Sequence, residues 1–185
     1  MFRNLVACAL LCTPFLATAQ SSAPPDGWRD RVVETLPLLG HRNWILIVDS
    51  AYPLQASPGV ETIDTKASLP FVLQFVLGAL RDAQHVRPDI FMDAELPFVP
   101  DEDAPGAAQY RTNIADLSRG YPIQPLPHDK IIATIDDAGK TFNVLVLKTN
   151  MTIPYSSVFI RLNCKYWSDA AEARLRAKMS ASGAR

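Results

Sequence analysis

Apolar residues along this chain follow two rhythms. Five in a row, Trp44-Ile45-Leu46-Ile47-Val48, have the length and β-branched content of a buried strand. Val144-Leu145-Val146-Leu147, within 141–148, and the stretch 157–162 read the same way. Shorter extended pieces are predicted at 60–63, ending at Asp64, and at 89–92. Between these pieces the spacing turns helical. Trp28, Val32, Val33, Leu36 and Leu39 recur on one helix face, Gly40 stands where a C-terminal cap belongs, and Pro37 predicts a kink or early stop. Ser68 opens a strongly apolar helix through residue 80, with Pro70 tolerated in its first turn. Its apolar residues run nearly all the way round, which predicts burial or a subunit contact.

A polar helix near 107–118 is stopped by Gly120, and 121–127 reads as a Pro-punctuated connection into a further helix over 128–138. The last residues, rich in Ala, Arg and Glu from Trp167 onward, predict a terminal helix pinned by that tryptophan. Strands alternating with helices indicate a single-domain α/β fold.

The amino-terminal residues belong to a different class. Arg3, an apolar run over 5–16 and Ala17-Thr18-Ala19 form the three regions of a secretory signal peptide. The expected organisation is therefore a signal peptide over 1–19, cut after Ala19, and a flexible leader over 20–27. A single domain over 28–166 and a helical extension over 167–185 follow. The apolar run is too short to span a membrane and no second one follows, so a periplasmic or secreted protein is expected.

Composition adds exclusions. The net charge is −1, and losing Arg3 with the signal makes the mature chain one unit more acidic. That argues against nucleic acid or an anionic membrane as partner. Cys8 and Cys12 leave with the signal, so Cys164 alone remains and no internal disulfide can form. His41, His85 and His128 lack metal-ligand spacing, and no metal site is readable.

The candidate chemistry lies around the first strand, in Gly40-His41 before it and Asp49-Ser50-Ala51-Tyr52-Pro53 after it. An imidazole and a carboxylate offered to one cleft suit proton transfer at neutral pH. A strand advances ~3.3 Å per residue, so the two need a further bend to meet. Taken alone, the pair reads more simply as a helix cap at Gly40-His41 and an aspartate capping the next turn.

The order of features resembles the ribose pyranase / fucose mutarotase family, which interconverts ring forms of free sugars. The matching residues are Gly40-His41, Asp49, Ala51-Tyr52-Pro53, Asp64, the apolar helix, the strand after Pro88 with its acidic loop, and Pro154-Tyr155 before the closing strand. The resemblance spans roughly residues 30 to 165. It implies a sheet with helices on both faces, assembled into pentameric or decameric rings with the sugar site at a subunit boundary.

It also implies His41 as catalytic base, Asp49 as its partner carboxylate and Tyr155 as a donor to a sugar oxygen. Ser157, Asn150, His128 and Tyr52 become the candidate sugar-binding residues. The chain departs from the family pattern at Asn150 and Met151, where relatives carry Gly-Glu, and at Ser157, where they carry Asn. His128 matches a helix-start residue of the family only with an insertion. The expected function is a cofactor-free monosaccharide mutarotase or pyranase working by acid/base catalysis. The alternative is a non-catalytic exported carbohydrate-binding or structural protein on the same fold.

Overall fold

The computed structural model describes residues 27–183. The signal peptide and all but the last residue of the leader lie outside them.

Among the described residues six strands make one mixed sheet: β1 (Trp44–Val48), β2 (Val60–Asp64), β3 (Val86–Asp93), β4 (Ile123–Leu126), β5 (Val144–Lys148) and β6 (Val158–Cys164), in the order β2-β5-β1-β6-β3-β4. β1 is central and all five of its residues are buried. A strand covered on both faces needs an unbroken apolar run rather than alternation, which is why this one stands out in the sequence. Ile45 and Ile47 enter one core cluster, and Trp44, Leu46 and Val48 enter the other.

Helices cover both faces. α1 (Gly27–Thr35), α2 (Leu69–Asp82) and α3 (Ala107–Leu117) contribute Trp28, Val32, Leu73, Val76, Tyr110 and Ile114 to the first cluster. α4 (His128–Ala138) sets Ile131 and Ile135 on the opposite face. α5 (Asp169–Ala181) buries none of its residues. Trp167, just before the helix, donates its indole N–H to Glu172 in it at 2.8 Å.

The anticipated stop at Pro37 occurs: α1 ends at Thr35 and a single 3₁₀ turn, Leu36–Leu38, follows. The apolar character of α2 is absorbed within the chain. Leu69, Val72, Leu73, Val76, Leu77 and Leu80 are buried, and Trp28 packs edge-on against Phe71 and Phe75. The Arg29 guanidinium lies over those rings. Phe71 remains 44% exposed at the edge of this packing.

Two strand expectations are corrected. β3 starts three residues earlier than expected, and the 121–127 connection contains β4, paired in parallel with the end of β3. Proline hid both, since it cannot donate to a ladder and is tolerated only at an edge. Pro88 sits where β3 has β6 on one side and has not yet met β4, and Pro125 sits in β4, the last strand of the sheet.

Direction matters most for function. β5 runs parallel to β1 and β2, and β4 parallel to β3. Only β6 is antiparallel, and to both β1 and β3. The carboxyl ends of β1 to β5 and the amino end of β6 therefore share one edge of the sheet, where open α/β folds hold ligands.

Candidate functional site

Three chain segments meet at that carboxyl edge. The first is the end of β1. Asp49 Oδ2 accepts a hydrogen bond from the Ser157 hydroxyl at 2.9 Å, and Oδ1 accepts from the Ala51 N–H at 2.8 Å. The second bond closes an Asx turn, a local habit of aspartate after a strand. The Asp49–Ser157 bond joins residues 108 apart, made neighbours by the antiparallel β1–β6 register.

The second segment leads into β6. Tyr155 takes a left-handed backbone, φ 57°, a conformation that costs energy for a non-glycine residue and tends to occur at functional positions. The loop is fixed from beneath by the Tyr110 hydroxyl, which donates to the Ser156 carbonyl, and by the Ser156 hydroxyl on the Ile153 carbonyl at 2.6 Å. The Tyr155 ring meets the His128 ring edge-on, centroids 5.4 Å apart.

The third segment joins β3 to the start of α4. Asp93, the last residue of β3, bonds His128 Nδ1 through Oδ1 at 3.0 Å. Both carboxylate oxygens of Glu95 accept from the His128 N–H, at 3.0 and 3.1 Å, and so cap the helix. The parallel pairing of Asp93 with Leu126 brings residues 93 and 128 together.

Not all the predicted residues gather here. Asp49, Ser157, Tyr155 and His128 do. Tyr52 is buried on the sheet face that α4 covers, with its N–H on the Asp49 carbonyl at 3.3 Å and its own carbonyl accepting from Lys148 Nζ at 2.8 Å; the Asp49 and Asp93 charges reach its hydroxyl, which is unpartnered among the described residues. Asn150 is exposed on the β5–β6 loop, its N–H on the Ala67 carbonyl at 3.0 Å, and no contact joins it to the cluster.

The pairing of His41 with Asp49 within one chain is the clearest correction. His41 sits exposed in the turn before β1, at the amino edge, while Asp49 follows β1 at the carboxyl edge. The strand between them spans about 16 Å and is straight, so within one chain they do not form a pair. Sequence reasoning missed Asp93, Glu95 and Tyr110. An aspartate closing an apolar strand was the available signal for Asp93, because strand ends at this edge carry the chemistry.

Burial is the main influence on the titrating groups. It pushes the Asp93 carboxyl above the usual carboxylate range; His128 pulls it back in part, while Glu95 and Asp49 add to the rise. Burial also pushes the Tyr52 and Tyr110 hydroxyls well above the ordinary tyrosine range, with nearby carboxylates adding to both. A carboxyl raised in the folded chain contributes stability that is complete below its unfolded value and lost as pH rises through the folded one. Ionised Asp93 is therefore a net cost at neutral pH. Asp93→Asn should improve its melting temperature relative to wild type as pH rises from about 3 to 7. A flat difference across thermal melts in that range would refute this sign.

No protein-family model and no curated protein sequence matches the chain. Solved structures do. RbsD from Bacillus subtilis, in complex with D-ribose, is 17% identical, covers 83% of this chain and 98% of its own, and has a TM-score of 0.49. The fucose mutarotase from Streptococcus pneumoniae, in complex with L-fucose, is also 17% identical, covers 77% of this chain and 97% of its own, and has a TM-score of 0.50. The chain has the fucose mutarotase fold. The mutarotase fold accounts for the mixed six-stranded sheet and its helices, and at this identity the likeness concerns architecture alone. In this chain's version of the mutarotase fold, the Asp49–Ser157 and His128–Tyr155 pairs occupy the carboxyl edge.

Proposed function

We propose that the protein is a cofactor-free sugar-ring isomerase, acting on a free monosaccharide by acid/base catalysis at the carboxyl edge of the sheet. The observation that carries the reading is the convergence of Asp49–Ser157 with His128–Tyr155 at one edge. It supplies what a sugar needs: a carboxylate and hydroxyls to hold ring hydroxyls, an imidazole to move a proton, and an aromatic ring beside them. Similarity of fold to proteins solved with D-ribose and L-fucose supports the substrate class. The expected signal peptide over 1–19 supports an exported enzyme.

Ring interconversion needs a base at the anomeric hydroxyl and an acid at the ring oxygen. Proton loss from the anomeric hydroxyl forms the carbonyl as the bond from the anomeric carbon to the ring oxygen breaks. The ring oxygen then takes up a proton, and reclosure on either face reverses the sequence. Positioned groups contribute ~10²–10⁴-fold to such a step.

In this reading His41 is the base, and it reaches the site from a second copy of the chain. Exposed apolar side chains at both edges support head-to-tail assembly. Leu38, 81% exposed, lies three residues before His41, while Leu54 (81%) and Phe98 (84%) follow β1 and β3 at the other edge. Contacts of unlike surfaces close into rings when the rotation allows, and a pentamer or decamer is proposed.

Complementation tests the shared site. His41→Asn and Asp49→Asn chains should each be inactive alone. When co-assembled in equal amounts they should regain up to about a quarter of wild-type exchange, because random neighbours leave that share of sites with both residues intact. No recovery from mixed assemblies, or a stable monomer with full activity, would contradict the shared site.

A further inference from the structure

His128 carries more restraint than a half-exposed surface histidine needs. Its N–H is held by both oxygens of Glu95, its Nδ1 by Asp93, and its ring edge by Tyr155. The Asp93 side chain is 1% exposed, whereas that of His128 is 43% exposed. The hydrogen bond thus runs from a buried carboxylate out to a ring whose other nitrogen, Nε2, has no protein partner among the described residues. Fixing a side chain in one orientation costs conformational entropy. A helix cap alone would be served by Glu95 and would leave the ring free.

We propose that His128 is the second proton-transfer group of the site and that Asp93 is its positioning residue, fixing the proton on Nδ1 so that Nε2 does the exchange. This rests on the isomerase reading above and deepens it.

A buried carboxylate can only accept, so Nδ1 must donate to it in both the neutral and the charged ring. Nε2 is then the nitrogen that gains and loses a proton, and it lies away from Asp93. Charged or titrating groups around His128 come from every element near it. Asp93 at the end of β3 and Tyr155 in the loop before β6 meet the ring itself, Glu95 just after β3 holds the backbone N–H, Asp49 after β1 acts on Asp93, and Asp129 is the neighbouring acid in the first turn of α4.

As acid, Nε2–H gives its proton to the ring oxygen while the bond from that oxygen to the anomeric carbon breaks, its electron pair staying on the oxygen. The base has meanwhile taken the anomeric hydroxyl proton, and the O–H pair becomes the second bond of the carbonyl. On reclosure each proton returns to the group it came from, so the cycle leaves protein and sugar proton-balanced and needs no co-reactant. His128 touches the reacting atoms in this scheme; Asp93 acts only through it.

The test uses the full chain, with D-ribose and L-fucose as probes and two readouts. Ring ¹⁵N spectra report which nitrogen of His128 carries the proton. Wild type is expected to hold it on Nδ1 at all pH values, with Nε2 titrating. Asp93→Asn keeps the shape but can turn its amide N–H toward Nδ1, which favours the Nε2-protonated tautomer. The same change to a catalytic triad aspartate leaves the geometry intact and sets the wrong tautomer. Anomer exchange should then fall by ~10²-fold or more with sugar affinity within about threefold, because the loss is felt in the transition state. His128→Gln should lower exchange similarly, and it carries the kinetic test if Asp93→Asn folds poorly.

Wild-type exchange in either variant would overturn the proposal. So would a wild-type ring carrying its neutral proton on Nε2. If wild-type protein exchanges no sugar while Nδ1 still holds the proton, the catalytic role of His128 falls together with the isomerase reading. A mis-set tautomer in an active wild-type enzyme would overturn the proposal while leaving the isomerase reading standing.

Discussion

Asp49→Asn is expected to weaken monosaccharide binding and to lower anomer exchange by ~10²-fold. Asp49 uses one carboxylate oxygen for the Ser157 hydroxyl and the other for the Ala51 N–H. An amide retains a single acceptor, so one of these donors loses its partner or faces another donor. Hydrogen bonds to charged groups are worth about 1.5–3 kcal/mol, which corresponds to a loss of affinity of roughly ten- to a hundred-fold if the sugar uses the same carboxylate. Saturation-transfer NMR on the variant reads both quantities. Unchanged affinity and exchange would remove Asp49 from the site and leave it as an Asx turn.

Phe159→Ala should produce the largest loss of stability. Phe159 is fully buried in β6, opposite Leu46 of β1 and Phe91 of β3, on the sheet face that α4 covers. Truncating a buried phenylalanine costs about 3–5 kcal/mol, because the transfer energy is lost and a cavity remains. For a domain of this size that corresponds to a fall in melting temperature of roughly 6–20 °C in a thermal denaturation experiment. Ser157 stands two residues earlier on the same chain segment, so the carboxyl edge should loosen as well. A loss under about 1 kcal/mol would mean that the cluster collapses around the gap.

The parts of the fold legible in sequence were those whose pattern is set by burial alone. β1 and β5 read clearly because a central strand covered on both faces must be apolar throughout. Edge positions read poorly. β4 and the first half of β3 contain prolines that weaken a strand pattern, and only the neighbouring register shows that these prolines fall where no ladder bond is required.

The site divided in the same way. Asp49 was legible because a strand ended there. Its link to Ser157 needed the β1–β6 pairing, and the link of Asp93 to His128 needed the β3–β4 pairing. The pairing of His41 with Asp49 within one chain misled for a geometric reason: proximity in sequence across an extended strand is separation in space. The α2 helix read correctly as buried, with Trp28 of α1 and the Arg29 guanidinium packed against Phe71 and Phe75 and Phe71 left 44% exposed.

The central claim is that the carboxyl edge of this sheet interconverts sugar ring forms. Saturation transfer between the anomer resonances of free D-ribose and L-fucose, with and without catalytic amounts of the mature wild-type protein, tests it most directly. The account predicts exchange well above the buffer rate for at least one of these sugars, increasing with protein concentration and lowered by ~10²-fold in Asp49→Asn. Binding of sugars with exchange left at the buffer rate would contradict it and make the protein a carbohydrate-binding one.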